Sequence, residues 1–187
     1  MGAALLFVLG VALPAAESPA PLPDDPACTP ADRAFMQRAN ELAAGASGHG
    51  NGAYGAILVK DGRIIAEFET CGVTTGDPTM HAETGLVALA SRTLGLEALK
   101  GSVLYTSTEP CIMCCGAIRN AGIREFVYGV TALQVARLRG SRLPDHPLQC
   151  REVFARGGAA TPTVIRGPLM EAEGVVVHAI GLARTAR

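Results

Sequence analysis

Hydrophobic spacing changes character several times between residues 30 and 130. From Pro30 onward, Ala34, Phe35, Arg38, Leu42 and Ala43 fall on one stripe, with Met36 and Ala39 beside it. That is the interval of a helix face. Thr29 can cap this helix, with Pro30 in its first position. The Gly-rich ASGHGNG ends it. AYGAILVKDGRIIAEFE then holds two apolar runs around Asp61-Gly62. Both turn residues tolerate positive φ, so a hairpin is expected. A turn at Asp77-Pro78 leads to a second helix, with Thr79 as its cap and Leu86, Val87, Ala90 and Leu94 as its apolar face. SVLYTS reads as a buried strand, PCIMCCGAIRNAG as a helix from Pro110 to near Gly122, and IREFVYGV as another strand. Strand, helix, strand in that order implies a parallel pair with a right-handed crossover. The fold class is therefore α/β. A three-layer sandwich is expected, with a mixed sheet of about five strands and helices on both faces.

The pattern weakens after Val130. QVARLRG reads as a short helix and TPTVIRG as a short strand. In LMEAEGVVVHAIGLA, Leu169, Met170, Glu173, Val176, Val177 and Ile180 fit a helix, whereas the valine run and Gly174 suit a strand. A helix is expected. At the other end, the apolar run 3–13 is shorter than the roughly 20 residues that span a bilayer. Its length suits a signal-peptide core, with Ala15 and Ala16 as small residues near a cleavage site, although no Lys or Arg precedes it. A periplasmic or secreted protein is the expectation, and a cytoplasmic one if this segment is not a signal. Pro19, Pro21, Pro23, Pro26 and Pro30 make an extended linker. The division is thus 1–30 for signal and linker, and 31–187 for the domain, with a core over 35–130 and an extension over 131–187.

Composition adds modest constraints. With 187 residues, 49% apolar and 18% charged, the chain suits one globular domain. Its net charge of −1, without a Lys/Arg cluster, shows no basic footprint for nucleic acid. Trp is absent, so platforms for stacking bases are few. The six cysteines stand at 28, 71, 111, 114, 115 and 150. A Cys71–Cys150 bridge is open to the chain only in an oxidising compartment.

Three short pieces carry chemistry. Cys111 and Cys114 lie three apart at a helix start, where unpaired N–H groups favour thiolates. Alone, CxxC reads as a metal clamp or else as a redox pair, a disulfide or a chance spacing. His81 begins a different helix, and in the expected sheet both helices start at the edge where parallel strands end, the usual place for sites. One His and two Cys leave a fourth position open on Zn²⁺, as in catalytic sites. Glu83 is a carboxylate beside that position, able to take a proton from water and pass it on. Its plainer role is a first-turn acid favoured by the helix dipole. Cys115 sits one position round the helix and reads as a small buried hydrophobe. His146 and His178 have no motif partner and read as structural or surface residues.

HAE at His81–Glu83 and PCIMC at Pro110–Cys114 together form the H-x-E…P-C-x-x-C signature of zinc nucleobase deaminases. The chain resembles the cytidine/deoxycytidylate-deaminase-like superfamily. DPTMHAE and LYTSTEPCIMCCGAI are most similar to its guanine deaminase and tRNA adenosine deaminase branch. The resemblance runs from about Phe35 to Val130. It implies one Zn²⁺ per chain on His81, Cys111 and Cys114, with Glu83 as the catalytic proton carrier. It also implies a homodimer, and a base held near Ala82, Pro110 and the stretch 53–56, including Gly55 and Ala56. Relatives grip the base with an Asn where AEFETCG here places Thr70, and threonine lacks the paired donor and acceptor of an amide. The segment after Val130 also departs from the continuation typical of tRNA-editing relatives. The expected activity is hydrolytic deamination of a free nucleobase or nucleoside, guanine-like first, with ammonia released. The alternatives are tRNA adenosine deamination and a non-catalytic zinc-binding relative.

Overall fold

The computed structural model describes residues 20–157 and 163–185. The apolar run 3–13, Ala15 and Ala16 lie outside the described residues. The first helix, α1 (Pro30–Gly48), starts as expected from Thr29. The Thr29 hydroxyl accepts the Asp32 N–H, and the Asp32 carboxylate accepts the Thr29 N–H at 2.7 Å. This reciprocal pair satisfies two donors that the helix leaves unmatched. The hairpin β1 (Gly55–Lys60) and β2 (Arg63–Glu69) turns on Asp61 and Gly62, both at positive φ. A short α2 (Gly72–Thr75) precedes α3 (Ala82–Leu94) and α4 (Leu96–Leu99). Then come β3 (Val103–Thr108), α5 (Ile112–Asn120) and β4 (Glu125–Val130). The remainder is α6 (Ala132–Leu138), α7 (Cys150–Arg156), β5 (Val164–Arg166) and α8 (Glu171–Thr185).

The five strands form one sheet in the order β2-β1-β3-β4-β5. The pairings β1–β2 and β1–β3 are antiparallel, whereas β3–β4 and β4–β5 are parallel. Alternation along each strand serves two cores. Leu58, Leu104 and Phe126 pack with Leu86 of α3 and Ile118 of α5. Ile57, Tyr105 and Val127 face Met36 and Ala39 of α1. Each such fully buried Leu, Ile or Phe contributes on the order of 1.5–3 kcal/mol. The sandwich expected from the sequence is therefore the one observed.

Two helix starts differ from expectation, and both differences bear on the site. Thr79 does not cap α3. Its N–H and hydroxyl are held by the Asp77 carboxylate at 2.8 and 2.6 Å. The turn thus consumes Thr79, the helix does not start until Ala82, and His81, with extended dihedrals, is itself the N-cap. Likewise α5 begins at Ile112 rather than Pro110, with Cys111 as N-cap at φ −70 and ψ 173. The helices α2, α4 and α7 were not expected. Each is four to seven residues long, too short for hydrophobic periodicity to register. Ahead of α1, the extended segment 20–28 is tied to the turn between β5 and α8. Asp24 accepts the Met170 N–H and Asp25 the Gly167 N–H, at 2.8 and 2.9 Å. Among the described residues, no helix is long and apolar enough to cross a membrane.

Candidate functional site

Because β3 and β4 run parallel, their C-terminal ends open on one edge of the sheet. The chain leaving β3 passes directly through Glu109 and Pro110 into α5, and α3 starts beside it. His81 therefore stands as the cap of α3 opposite Cys111, the cap of α5, and Cys114 in the first turn of α5. The His81 Nδ1 lies 3.7 Å from each sulfur, and the sulfurs are 3.5 Å apart. Among the described residues these three form the one group of His, Cys, Asp or Glu side chains able to hold a metal ion. Tetrahedral coordination with Zn–S near 2.3 Å and Zn–N near 2.0 Å needs donors about 3.5–3.8 Å apart, so the donor set fits zinc. The electrostatics agree. Hydrogen bonding from Cys114, aided by His81, pulls the Cys111 thiol well below the usual thiol range. Cys114 moves the opposite way because it holds the proton that the two sulfurs share. The His81 imidazole is raised, chiefly by its contact with Cys111.

Glu83 stands against this group. It is 6% exposed, and its Oε2 lies 3.3 Å from Cys114 Sγ. Its Oε1 accepts the Thr106 hydroxyl at 3.0 Å, which fixes the carboxylate's rotation. Burial is the main cause raising its pKa. The four residues expected to carry metal and proton chemistry are thus assembled in one place. Cys115 turns away from them. It is 1% exposed within the α3–α5 core, its sulfur 3.5 Å from the Pro110 carbonyl. All six cysteines are free thiols, Cys71 and Cys150 included.

A cleft of about 250 Å³ opens over His81, Glu83 and Cys111. Pro110 lines it as expected, but Thr70, Ala82, Gly55 and Ala56 do not. The Thr70 hydroxyl is donated to the Met80 carbonyl at 2.8 Å, which closes the 71–80 loop. Ala82 and Ala56 are fully buried in the core. Gly55 is pressed against α1, where a Cβ would come within 2.4 Å of the Ala39 carbonyl. Within the stretch 53–56 it is Tyr54 that faces the cleft. More of the wall comes from Thr108 and Glu109 ahead of the cysteines and, from beyond the motifs, from residues that include Val135, Arg139, Asp145 and His146. His146, expected to be structural or surface, is exposed but borders the cleft. Arg139 donates to Asp145 at 3.0 Å and to the Tyr54 hydroxyl, joining two walls. Glu109 uses both oxygens to accept the Ala132 and Cys150 N–H groups, at 3.1 and 2.9 Å. It thereby anchors the starts of α6 and α7 beside the site. Of these, only Thr108 and Glu109 had a sequence signal, their place just ahead of the cysteines.

The family model for the cytidine and deoxycytidylate deaminase zinc-binding region matches residues 29–130. The chain belongs to this family. Among curated relatives of the deaminase is a probable cytosine deaminase of Schizosaccharomyces pombe, 32% identical over 149 residues, covering 79% of this chain and 90% of the relative. A guanine deaminase of Bacillus subtilis is 47% identical over 85 residues, 45% of this chain and 54% of the relative. The deaminase thus spans nearly all of the first relative and about half of the second. A solved structure from studies of A-to-I editing by tRNA:A34 deaminases superposes with a TM-score of 0.62 at 30% identity. That match covers 77% of this chain and 98% of the other. Deaminases of this family are hydrolases acting on C–N bonds, and this chain is one of them. The named substrates divide among cytosine, guanine and tRNA adenosine, so substrate has to be argued from the cleft.

Proposed function

We propose that the protein is a zinc-dependent hydrolytic deaminase of a free nucleobase or nucleoside, guanine-like in preference, binding one Zn²⁺ per chain and releasing ammonia. The observation that carries this reading is Glu83, held by Thr106 with its second oxygen turned toward the His81–Cys111–Cys114 group at the floor of an open cleft. A structural zinc site has no use for such a carboxylate. Zinc bound there supplies a Lewis acid that brings water within reach of ionisation near neutral pH. The protein's own part follows from position. Glu83 accepts the proton of water at Oε2 and returns it to the departing exocyclic nitrogen. The buried Thr106 donor keeps Oε1 from rotating into that role. Pro110 and Tyr54 present apolar surface to a planar ring, and the closed Arg139–Asp145–Tyr54 rim limits its size.

Size and charge favour a small substrate. The cleft of about 250 Å³ lies below the roughly 300–1,000 Å³ of pockets for drug-sized ligands. A net charge of −1 supplies little of the phosphate neutralisation on which tRNA affinity rests. The similarity to a tRNA:A34 deaminase structure favours tRNA adenosine as the second reading. One experiment separates them: ammonia release from guanine, cytosine, adenosine and tRNA, with zinc quantified on the same sample. Turnover of a free base or nucleoside at one zinc per chain is expected. Turnover of tRNA alone selects the second reading, and full zinc without ammonia from any substrate leaves the non-catalytic relative. Glu83→Gln is expected to keep its zinc and lose roughly 10²–10⁴ in rate, and a metal-replete variant at normal rate refutes the assignment. A homodimer belongs to this reading, and sedimentation of the zinc-loaded protein tests it.

A further inference from the structure

Helix α8 gives no residue to the lining of the cleft, yet one of its side chains reaches two residues that do line it. His178 is 4% exposed and its Nε2 shares a hydrogen bond of 2.8 Å with the Thr108 hydroxyl. Its ring meets the Tyr54 ring edge-on, centroids 5.2 Å apart at 66°. Thr108 ends β3 just before the Glu109-Pro110-Cys111 run, and Tyr54 immediately precedes β1. The imidazole therefore touches both of these lining residues without lining the cleft itself. We infer that His178 is a positioning residue of the substrate cleft, setting the Thr108 hydroxyl and the Tyr54 ring against which the flat face of the heterocycle rests.

A buried histidine with one hydrogen bond is most often simply a satisfied core residue. Two features of α8 separate this one from that case. Gly174 and Gly181 stand four residues before and three after His178, on the same face of the helix. A Cβ at Gly174 would lie 2.3 Å from a Val130 methyl, and one at Gly181 would lie 3.0 Å from the Ala53 Cβ. The helix therefore approaches the sheet end so closely that a side chain at Gly174 would force Val130 to shift and one at Gly181 would be tight, on either side of the imidazole. Interior glycines disfavour a helix, so the local sequence sacrifices helix propensity where close approach is needed. Ala53 is also the neighbour of Tyr54, so the Gly181 contact and the His178 ring press on the same short segment. Tyr54 is held from its other end by Arg139. Its ring is thus fixed between α8 and the rim.

The inference rests on the deaminase reading, and the test keeps the two apart. Kinetics are measured on the zinc-loaded full chain with the base or nucleoside from the panel that wild type turns over. His178→Leu keeps bulk but removes the hydrogen bond. It is expected to raise KM about tenfold, the equivalent of one hydrogen bond, with kcat changed less than about twofold and zinc content unaltered. His178→Gln, which can place an amide group near the position of Nε2, is expected to restore most of the KM. A merely structural role predicts lower thermal stability without this split and without rescue. An unchanged KM in His178→Leu, or no rescue by Gln, overturns the inference while leaving the deaminase reading intact. Should His178→Leu fail to fold, Thr108→Val breaks the same bond from its other end. The same KM rise is then expected, and a wild-type KM overturns the inference. Ammonia from no member of the panel overturns both readings together.

Discussion

Cys111, Cys114 and Cys115 occupy three of five consecutive positions, and helix geometry gives them different fates. The first two flank the opening turn of α5 and point at His81. The third is rotated by one position into the α3–α5 core, where burial pushes its thiol up to about 12 and keeps it protonated at neutral pH. Cys114→Ser is therefore expected to lose stoichiometric zinc, because an alcohol is a poor substitute for a soft thiolate. Cys115→Ala is expected to keep full zinc and near-normal turnover while losing about 1 kcal/mol for the missing buried atom. Metal analysis together with urea unfolding of both variants checks the pair. If Cys115→Ala loses its metal, the assignment of ligands is wrong. The candidate ligands and Glu83 were legible in the sequence because each of the two motifs is short and their chemistry restrictive. The cleft walls were not. Thr70 and Gly55 drew attention through position in a motif, but a hydroxyl two bonds from the backbone can be claimed by any nearby carbonyl, as Met80 claims that of Thr70. Arg139 at the end of the short helix α6, and Asp145 and His146 in the irregular segment after it, reach the cleft only through tertiary folding.

At the level of elements, the hairpin, the two parallel strands and the helices between them could be read because alternation and helical spacing persist over six residues or more. The cap of α3 could not, since Asp77 competes for Thr79 and wins. For α1 the capping residues also serve a tertiary role that sequence does not display. Asp32, 4% exposed, accepts the Tyr105 hydroxyl at 2.6 Å and an Arg166 N–H at 2.5 Å besides its own cap bonds. Arg166 in turn donates to Glu125 at 2.7 Å. One carboxylate thus joins α1, β3 and β5, and these bonds hold its pKa well below the usual carboxylate range despite burial. Loss of a helix cap alone costs about 1 kcal/mol. Removing one partner of a buried ion pair costs roughly 3–5 kcal/mol, because the other charge is left uncompensated. Asp32→Ala is expected to fall in the second range, and a urea-derived loss near 1 kcal/mol would show that the network adds nothing beyond the cap.

Across the whole molecule, two buried groups, one on α1 and one on the α8 helix packed against it, respond to acid over different ranges. Asp32 lies on the α1 side with a lowered pKa, so its stabilisation is present above the unfolded value near 3.9 and is lost as pH falls below it. His178 acts at higher pH. Burial first, and the Arg139 charge second, lower it from about 6.5 to about 4. In the unfolded chain it takes up a proton as pH drops through about 6.5, whereas the folded chain resists until about 4. Unfolded molecules therefore bind more protons throughout that window, and stability falls with pH by up to about 1.4 kcal/mol per unit from this one group. Integrated over the window, the loss is about 3 kcal/mol. Metal ligands also titrate in acid, so the comparison is made with zinc removed by chelator from wild type and variant alike. Unfolding free energy is then measured by urea titration at intervals from pH 7 to pH 4. His178→Leu is expected to start less stable at pH 7 and to decline less steeply, so that the two curves converge by about 3 kcal/mol toward pH 4. Parallel curves would mean that His178 titrates normally in the folded protein. The imidazole between α8 and the cleft would then be open to solvent, and its hold on Thr108 and Tyr54 would be no tighter than water's.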